Sequence, residues 1–194
     1  MIDQLFYSAL CAPGYTKEAL TLLAHRRTRV ILEHKETRPR KQVKRSLLSG
    51  IATQDLDQGL EPLEQWQSVT KRIPSPQEEA DLIFAQKAVK HLKSNAIALV
   101  KDSQLIGMGC GQPSRIDALN QAIEKAQRYG FTLKGAVMAS DAFFPFSDCV
   151  TRAAEVGVHA ILQPGGSRRD EESVRAADDM EIAMVMTGVR HFKH

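Results

Sequence analysis

Three aromatic rings in four residues, Phe143, Phe144 and Phe146, surround Pro145 in a stretch that reads as a loop, with Asp141 and Asp148 on either side. Loops are ordinarily polar. Such rings therefore either bury themselves in the core or build a slot for a flat apolar ligand, at whose rim a carboxylate accepts hydrogen bonds from a ring amine. Asp148 has a structural use as well, because after Ser147 it falls in the first turn of a helix, where a carboxylate complements the dipole. Pro164-Gly165-Gly166-Ser167 leads into a helix and suits an anion at its N-terminus, although glycines also serve plain tight turns. Arg115 follows a second glycine-containing approach to a helix, Gly109 to Ser114, and Arg190 follows the last strand, where a guanidinium can clamp a phosphate through two hydrogen bonds. An isolated Arg is more often simply solvated. His91 and His194 are available as acid–base groups. No two histidines stand at i, i+4 and Cys11, Cys110 and Cys149 lie far apart, so zinc-site spacings are missing, as are Gly-x-Ser-x-Gly and a Walker lysine.

Periodicity predicts the elements that must position these groups. Leu5 to Ala12 reads as a strand, Thr16 to His25 as a helix, Arg29 to Leu32 as a short strand, and Ser46 to Gln54 as an extended segment. Residues 55–73 read as a long connection. Ser75-Pro76-Gln77-Glu78 is a capping box with Pro at the first helical position, and Ala80, Ile83, Phe84, Ala88 and Leu92 follow at helical spacing. Ala96 to Val100 and Leu105 to Gly109 predict a hairpin. Ser114 and Asp117 open a helix whose stripe is Ala118, Ala122, Ile123 and Ala126 and which Gly130 ends. Strands at Gly135 to Ser140, Val158 to Gln163 and Ile182 to Thr187 alternate with helices at Ser147–Glu155 and Asp170–Met180, which implies crossovers and a parallel sheet. Ligands bind such sheets at the C-terminal strand ends, where the aromatic loop, the glycine turn and Gly188 to His194 converge.

The chain has 194 residues, 43% hydrophobic and 25% charged, with a formal net charge of +3. That suits a globular protein of one large or two small domains and argues against disorder and disulfide scaffolds. No apolar run reaches the length of a membrane span, the first residues lack a secretory pattern, and three scattered cysteines fit reduced thiols, so a cytoplasmic location without membrane association is expected. Basic residues crowd between Arg26 and Arg45, opposed only by Glu33 and Glu36. Without an aromatic residue to stack on bases, that run reads as a solvated loop rather than a nucleic-acid surface.

Five segments stand in order: Lys93-Ser94-Asn95-Ala96, Gly109 to Arg115, Ser140 to Phe146, Gln163 to Ser167 with Arg169 to Glu172, and Thr187 to His194. Together they resemble the C-terminal end of the phosphoribosylaminoimidazolecarboxamide (AICAR) formyltransferase / IMP cyclohydrolase family, strongly from about Arg72 onward and more loosely before. The resemblance implies one transformylase-like unit over 1–194, with 71–194 its motif-bearing core. Its fold would be three-layer α/β/α of cytidine-deaminase-like type with a mixed, mostly parallel sheet. It implies formyl transfer from 10-formyltetrahydrofolate to the 5-amino group of AICAR. Asn95 would stand beside the reacting groups. Arg115, Ile116, Phe143, Pro145, Phe146 and Asp148 would contact folate, Arg190 would hold the nucleotide phosphate, and Ser94, Asp141 and His194 would lie near a monovalent cation, possible potassium. The family's Lys–His pair for proton handling has no counterpart here, since Lys90-His91 is misplaced relative to Asn95, and the cyclohydrolase part is absent. Pro113 departs from the family pattern. A homo-oligomer, or a partner chain carrying the missing half, is implied; the alternative is a non-catalytic folate- or nucleotide-binding module or a diverged paralogue.

Overall fold

Continuous apolar strand runs need cover on both faces of a sheet, and the helices interleaved with them in residues 57–194 supply it. The structure is a computed structural model describing residues 6–26, 28–35 and 41–193. It packs as two compact units, Met1–Leu56 and Asp57–His194. The sequence led to one unit with a change of character near residue 70. The division falls earlier because residues 57–70 belong with the second unit: Trp66 packs against its core, and its indole donates to the Glu61 carbonyl.

In the first unit, β1 (Ala9–Ala12) and β2 (Val30–Glu33) pair in parallel through α1 (Lys17–Leu23), whose N-terminus is capped by the Thr16 side chain. Tyr15 donates to the carbonyls of Leu10 or Leu32, tying the two strands together. β3 (Gln42–Leu47) and β4 (Gly50–Asp55) form an antiparallel hairpin. The end of the basic run is therefore strand rather than loop, and the single extended segment expected from Ser46 is broken by a turn in which Leu48 adopts a left-handed φ of 43°. The strand start at Leu5, together with Arg27, Glu36, Arg38 and Arg40 of the basic run, lies outside the described residues.

In the second unit a 3-10 turn (Leu63–Gln65) precedes β5 (Gln67–Ser68) and α2 (Pro76–His91). There follow β6 (Ile97–Lys101), β7 (Gln104–Gly109), α3 (Arg115–Arg128), β8 (Ala136–Ser140), α4 (Asp148–Glu155), β9 (Val158–Gln163), α5 (Asp170–Asp179) and β10 (Ala183–Met186). The sheet order is β5-β10-β9-β8-β6-β7. The parallel pairs expected at β8-β9-β10 are present, and four of the six strands run the same way. Three of the five pairings are nevertheless antiparallel, because the β6–β7 hairpin and β5 flank the parallel centre. The sheet is thus mixed, and by pairing it is less parallel than expected.

Alternation sorts the strand residues between two cores. Ile97, Leu99, Met138, Ile161 and Met184 face α3, α4 and α5; Ala98, Val137, Ala139, Leu162 and Val185 face α2. The result is a three-layer α/β/α arrangement. α3 sits hard against β7, since a Cβ on Gly109 would stand 1.9 Å from the Ala118 carbonyl oxygen and one on Gly107 2.3 Å from that of Ala122. Only glycine admits such an approach, and the stripe Ala118, Ala122, Ile123 and Ala126 is buried as predicted.

The inward face of α2 differs from the predicted one. Leu82, Ala85 and Val89 face the sheet together with Asp81 and Gln86, while Phe84 is 39% exposed. Buried polar residues with specific partners displaced the apolar template. Asp81 accepts hydrogen bonds from the Asp102 and Ser103 amides in the hairpin turn, at 2.9 and 2.7 Å, and Gln86 donates to Glu61. The capping box at Ser75 and Glu78 is complete, and Arg72 also bonds Glu78 at 2.6 Å. Burial alone would raise the Glu78 carboxyl, but hydrogen bonds from Arg72 and the Ser75 amide outweigh it and leave the group below its ordinary range. Among the described residues no helix is long and apolar enough to cross a membrane.

Candidate functional site

β6 begins just after Asn95, and β8 ends at Ser140 beside it, the Asp141 amide donating to the Ala96 carbonyl at 3.3 Å. The segment after β10 returns over this edge. Gly188 donates to the Pro164 carbonyl, His191 to the Asp141 carbonyl at 2.9 Å, and Lys193 to the Ser94 hydroxyl at 2.9 Å. The expected convergence of the three post-strand segments therefore exists, and Ser94 and Asn95 join it from the antiparallel β6.

Asn95 is held by its own amide. Its Nδ2 donates to the carbonyls of Gln112 at 2.9 Å and Pro113 at 3.1 Å. Two carbonyl acceptors fix the amide orientation, leaving Oδ1 as the group able to accept from a ligand N–H. Pro113, the departure from the expected pattern, contributes its main-chain carbonyl, which any residue at that position would supply.

Arg115 starts α3, and its guanidinium lies 3.6 Å from Asp141, with side-chain exposures of 12% and 0%. The contact is an ion pair without a hydrogen bond: Nε and Nη2 of Arg115 and both carboxylate oxygens of Asp141 are buried without a hydrogen-bond partner among the described residues. Burial lowers the Arg115 pKa, and Asp141 works against that shift. Buried polar groups are ordinarily hydrogen-bonded, and four unfilled atoms in one place are open to a further partner such as a ligand, an ion or water. Ile116 packs partly against the core next to it.

The aromatic loop divides its rings between the two uses open to them. Phe144 is wholly buried and belongs to the core, its amide donating to the Gln163 side chain. Phe143 is half-buried beneath the Arg190 guanidinium at 4.7 Å, and Phe146 is 51% exposed beneath Arg169 at 4.9 Å. Such stacking orients an arginine without occupying its hydrogen-bond donors. Pro145 and Asp148 are exposed, and Asp148 accepts from the Cys149 amide at the start of α4, the structural use open to a first-turn carboxylate. The Cys149 thiol beneath is pushed up, chiefly by burial and then by Asp148.

The glycine turn does not present open donors to an anion. The amides of Gly166 and Ser167 already donate to Asp170 Oδ2, at 2.7 and 3.2 Å, so a carboxylate from the first turn of α5 fills the position. Its contribution is space instead: Gly166 lies under Arg190, where a Cβ would stand 3.7 Å from the guanidinium. His91 is exposed at the end of α2 and takes no part, and His194 lies outside the described residues. No group of three His, Cys, Asp or Glu side chains among the described residues is placed to hold a metal ion.

Sequence reasoning missed a polar cluster behind this edge. The ring of His191, 2% exposed, has Nδ1 at 2.6 Å from Asp57 and Nε2 at 3.1 Å from Glu61. Lys90 stands 3.4 Å from Asp57 and also donates to the Gly59 carbonyl. No local pattern announces it, since Asp57 and His191 are 134 residues apart.

The edge of this three-layer α/β sheet thus carries two arginines, an oriented asparagine and aromatic rings at the strand ends, the place where open α/β sheets bind ligands. The AICARFT/IMPCHase bienzyme family model matches residues 1–125, and the chain belongs to that family. The match takes in the first 70 residues, where the motifs are sparse. The bifunctional purine biosynthesis protein PurH of Bacteroides thetaiotaomicron is 49% identical over 193 residues, covering 100% of this chain and 38% of the relative. That of Enterococcus faecalis is 45% identical over 195 residues, with the same coverages of 100% and 38%. The chain thus spans about 38% of the length of these relatives. Among solved structures, apo dCMP deaminase from the cyanophage S-TIM5 overlays 57% of this chain and 98% of its own, at TM-score 0.41 and 15% identity.

Proposed function

We propose that this chain serves purine biosynthesis as the substrate-holding part of an AICAR formyltransferase, with 10-formyltetrahydrofolate as formyl donor. Buried Arg115 and Asp141, each with unfilled hydrogen-bonding atoms at the strand ends, are the observation that carries this proposal. Family membership supplies the substrates, and the site supplies groups suited to them. Arg190, exposed and stacked on Phe143, suits the nucleotide phosphate. Phe143, Pro145 and Phe146 suit the flat folate ring, beside Arg115 and Ile116, with Asp148 at the rim.

Transfer joins the 5-amino nitrogen of AICAR to the formyl carbon, breaks that carbon's bond to the folate nitrogen, and moves a proton from the amine to the departing nitrogen. The amine is a weak nucleophile, so orientation is what the protein must supply. With its Nδ2 committed to Gln112 and Pro113, Asn95 offers Oδ1 to an N–H of that amine and holds it toward the formyl carbon. The proton carrier comes from a partner chain or a second unit, because Lys90 is engaged with Asp57 and Gly59. A monovalent cation, potassium by chemistry, belongs to the same proposal: the unfilled Asp141 carboxylate oxygens are the donors that would hold it, with Ser94 and His194 as the further residues the family resemblance implies. Homo-oligomerisation and cytoplasmic residence are part of the same proposal.

Thermal denaturation with added ligand tests it. AICAR or 10-formyltetrahydrofolate at about a hundred times its dissociation constant stabilises the folded chain by roughly 2.7 kcal/mol. Arg190→Met removes the AICAR response and Arg115→Met the folate response, while Asn95→Ala keeps both and loses formyl transfer once a complementing chain is supplied. Absence of any shift with either compound, or rapid formylation by the isolated chain, overturns the proposal.

A further inference from the structure

The ring of His191 is buried between two carboxylates, one on each nitrogen: Asp57 Oδ2 at 2.6 Å from Nδ1 and Glu61 Oε2 at 3.1 Å from Nε2. Carboxylate oxygens only accept, so both contacts are hydrogen bonds only when both ring nitrogens carry protons. Each carboxylate has a further partner. Lys90 stands 3.4 Å from Asp57, and Gln86 donates to the same Glu61 oxygen at 2.9 Å. Asp57 keeps a 30% exposed side chain, while the His191 ring and Glu61 are largely removed from water. Asp141 meets His191 through its main-chain carbonyl.

The cluster lies next in sequence to Arg190 and grips a segment that has no regular secondary structure. Residues 188–193 also hold to the rest of the unit by one hydrogen bond each to Pro164 and Asp141, two each to Thr187 and Ser94, and the Lys193 amine on the His91 carbonyl. We propose that His191 is a positioning residue: doubly protonated between Asp57 and Glu61, it fixes the segment that carries Arg190, and so places that guanidinium over Phe143 and locks the Asp141 main chain beside Arg115. The role of Arg190 in this statement rests on the proposed function; the protonation state and the clamp do not.

Two measurements on the full chain test this separately. Ring 1H–15N correlation spectra at pH 7 are expected to show both His191 nitrogens protonated. Hydrogen exchange at the His191 and Lys193 amides is expected to accelerate about tenfold in His191→Gln, the loss of one charge-assisted bond, with α2 and α3 amides unchanged. A ring nitrogen without a proton, or unchanged exchange, overturns the clamp whatever the ligand does. AICAR titrated by calorimetry then reads the consequence: affinity falls about tenfold in His191→Gln. Glu61→Gln, which keeps a hydrogen-bonding group of the same size but removes the charge, weakens AICAR binding in the same direction and serves if His191→Gln fails to fold. A parent chain that shows the clamp by both spectroscopic measures but no AICAR binding refutes the role given to Arg190 and leaves the clamp standing. AICAR affinity that is identical in parent and variants refutes the positioning role.

Discussion

Gly109→Ala tests how α3 is held and what depends on it. The new Cβ would stand 1.9 Å from the Ala118 carbonyl oxygen, 2.6 Å from its carbon and 2.8 Å from its Cα, all of them backbone atoms in the middle of a helix turn. Side-chain rotation cannot relieve the clash, so α3 must withdraw by about 1.1 Å to reach the shortest contact that Cβ atoms tolerate. Overpacking of that kind costs about 1–3 kcal/mol. The same movement carries Arg115 from its 3.6 Å contact with Asp141. At an effective dielectric constant of about 20 the attraction falls from roughly 4.6 to roughly 3.5 kcal/mol, adding about 1 kcal/mol. For a chain of this size the melting temperature should drop by roughly 5–12 °C. Circular dichroism melts read this directly, with Gly59→Ala as control because a Cβ there meets nothing within 4 Å. A Gly109→Ala melt within about 1 °C of the parent would refute the packing that places Arg115 at the site.

Other outcomes follow from the same structure. The Glu78 carboxyl sits below its ordinary range, so its pairing with Arg72 and the Ser75 amide contributes stability above the usual carboxylate pKa and loses it as pH falls through the lowered value. Glu78→Gln should therefore be less stable than the parent in urea melts at pH 7, with the difference shrinking toward pH 3; equal differences at both pH values would contradict this. Burial pushes the Cys149 thiol upward, so a disulfide reagent at pH 8 should label exposed Cys11 quickly and Cys149 only on unfolding, and Cys149→Ser should leave the fast phase intact.

Much of the larger unit was legible because its signals are local. Ser75 with Glu78, the alanine stripe of α3 and the short apolar runs at β8, β9 and β10 each state their element within a few residues. The face of α2 was not legible: Asp81 and Gln86 look solvent-bound until their partners at Asp102, Ser103 and Glu61 are known. The glycine turn misled for a related reason, since its anion-ready amides are satisfied by Asp170, four residues on.

Composition, periodicity and five ordered segments were sufficient to determine an α/β sheet, the edge at which its loops converge, and Asn95, Arg115, Phe143 and Arg190 as the groups to look for there. Each of those inferences needs only residues near in sequence, or a family pattern. Tertiary structure alone decided that Phe144 belongs to the core while Phe143 carries Arg190, that Arg115 and Asp141 face each other with unfilled hydrogen-bonding atoms, and that His191 is gripped from a segment 130 residues away. Burial and pairing of charges depend on which distant backbones the fold brings together, and no local periodicity encodes that.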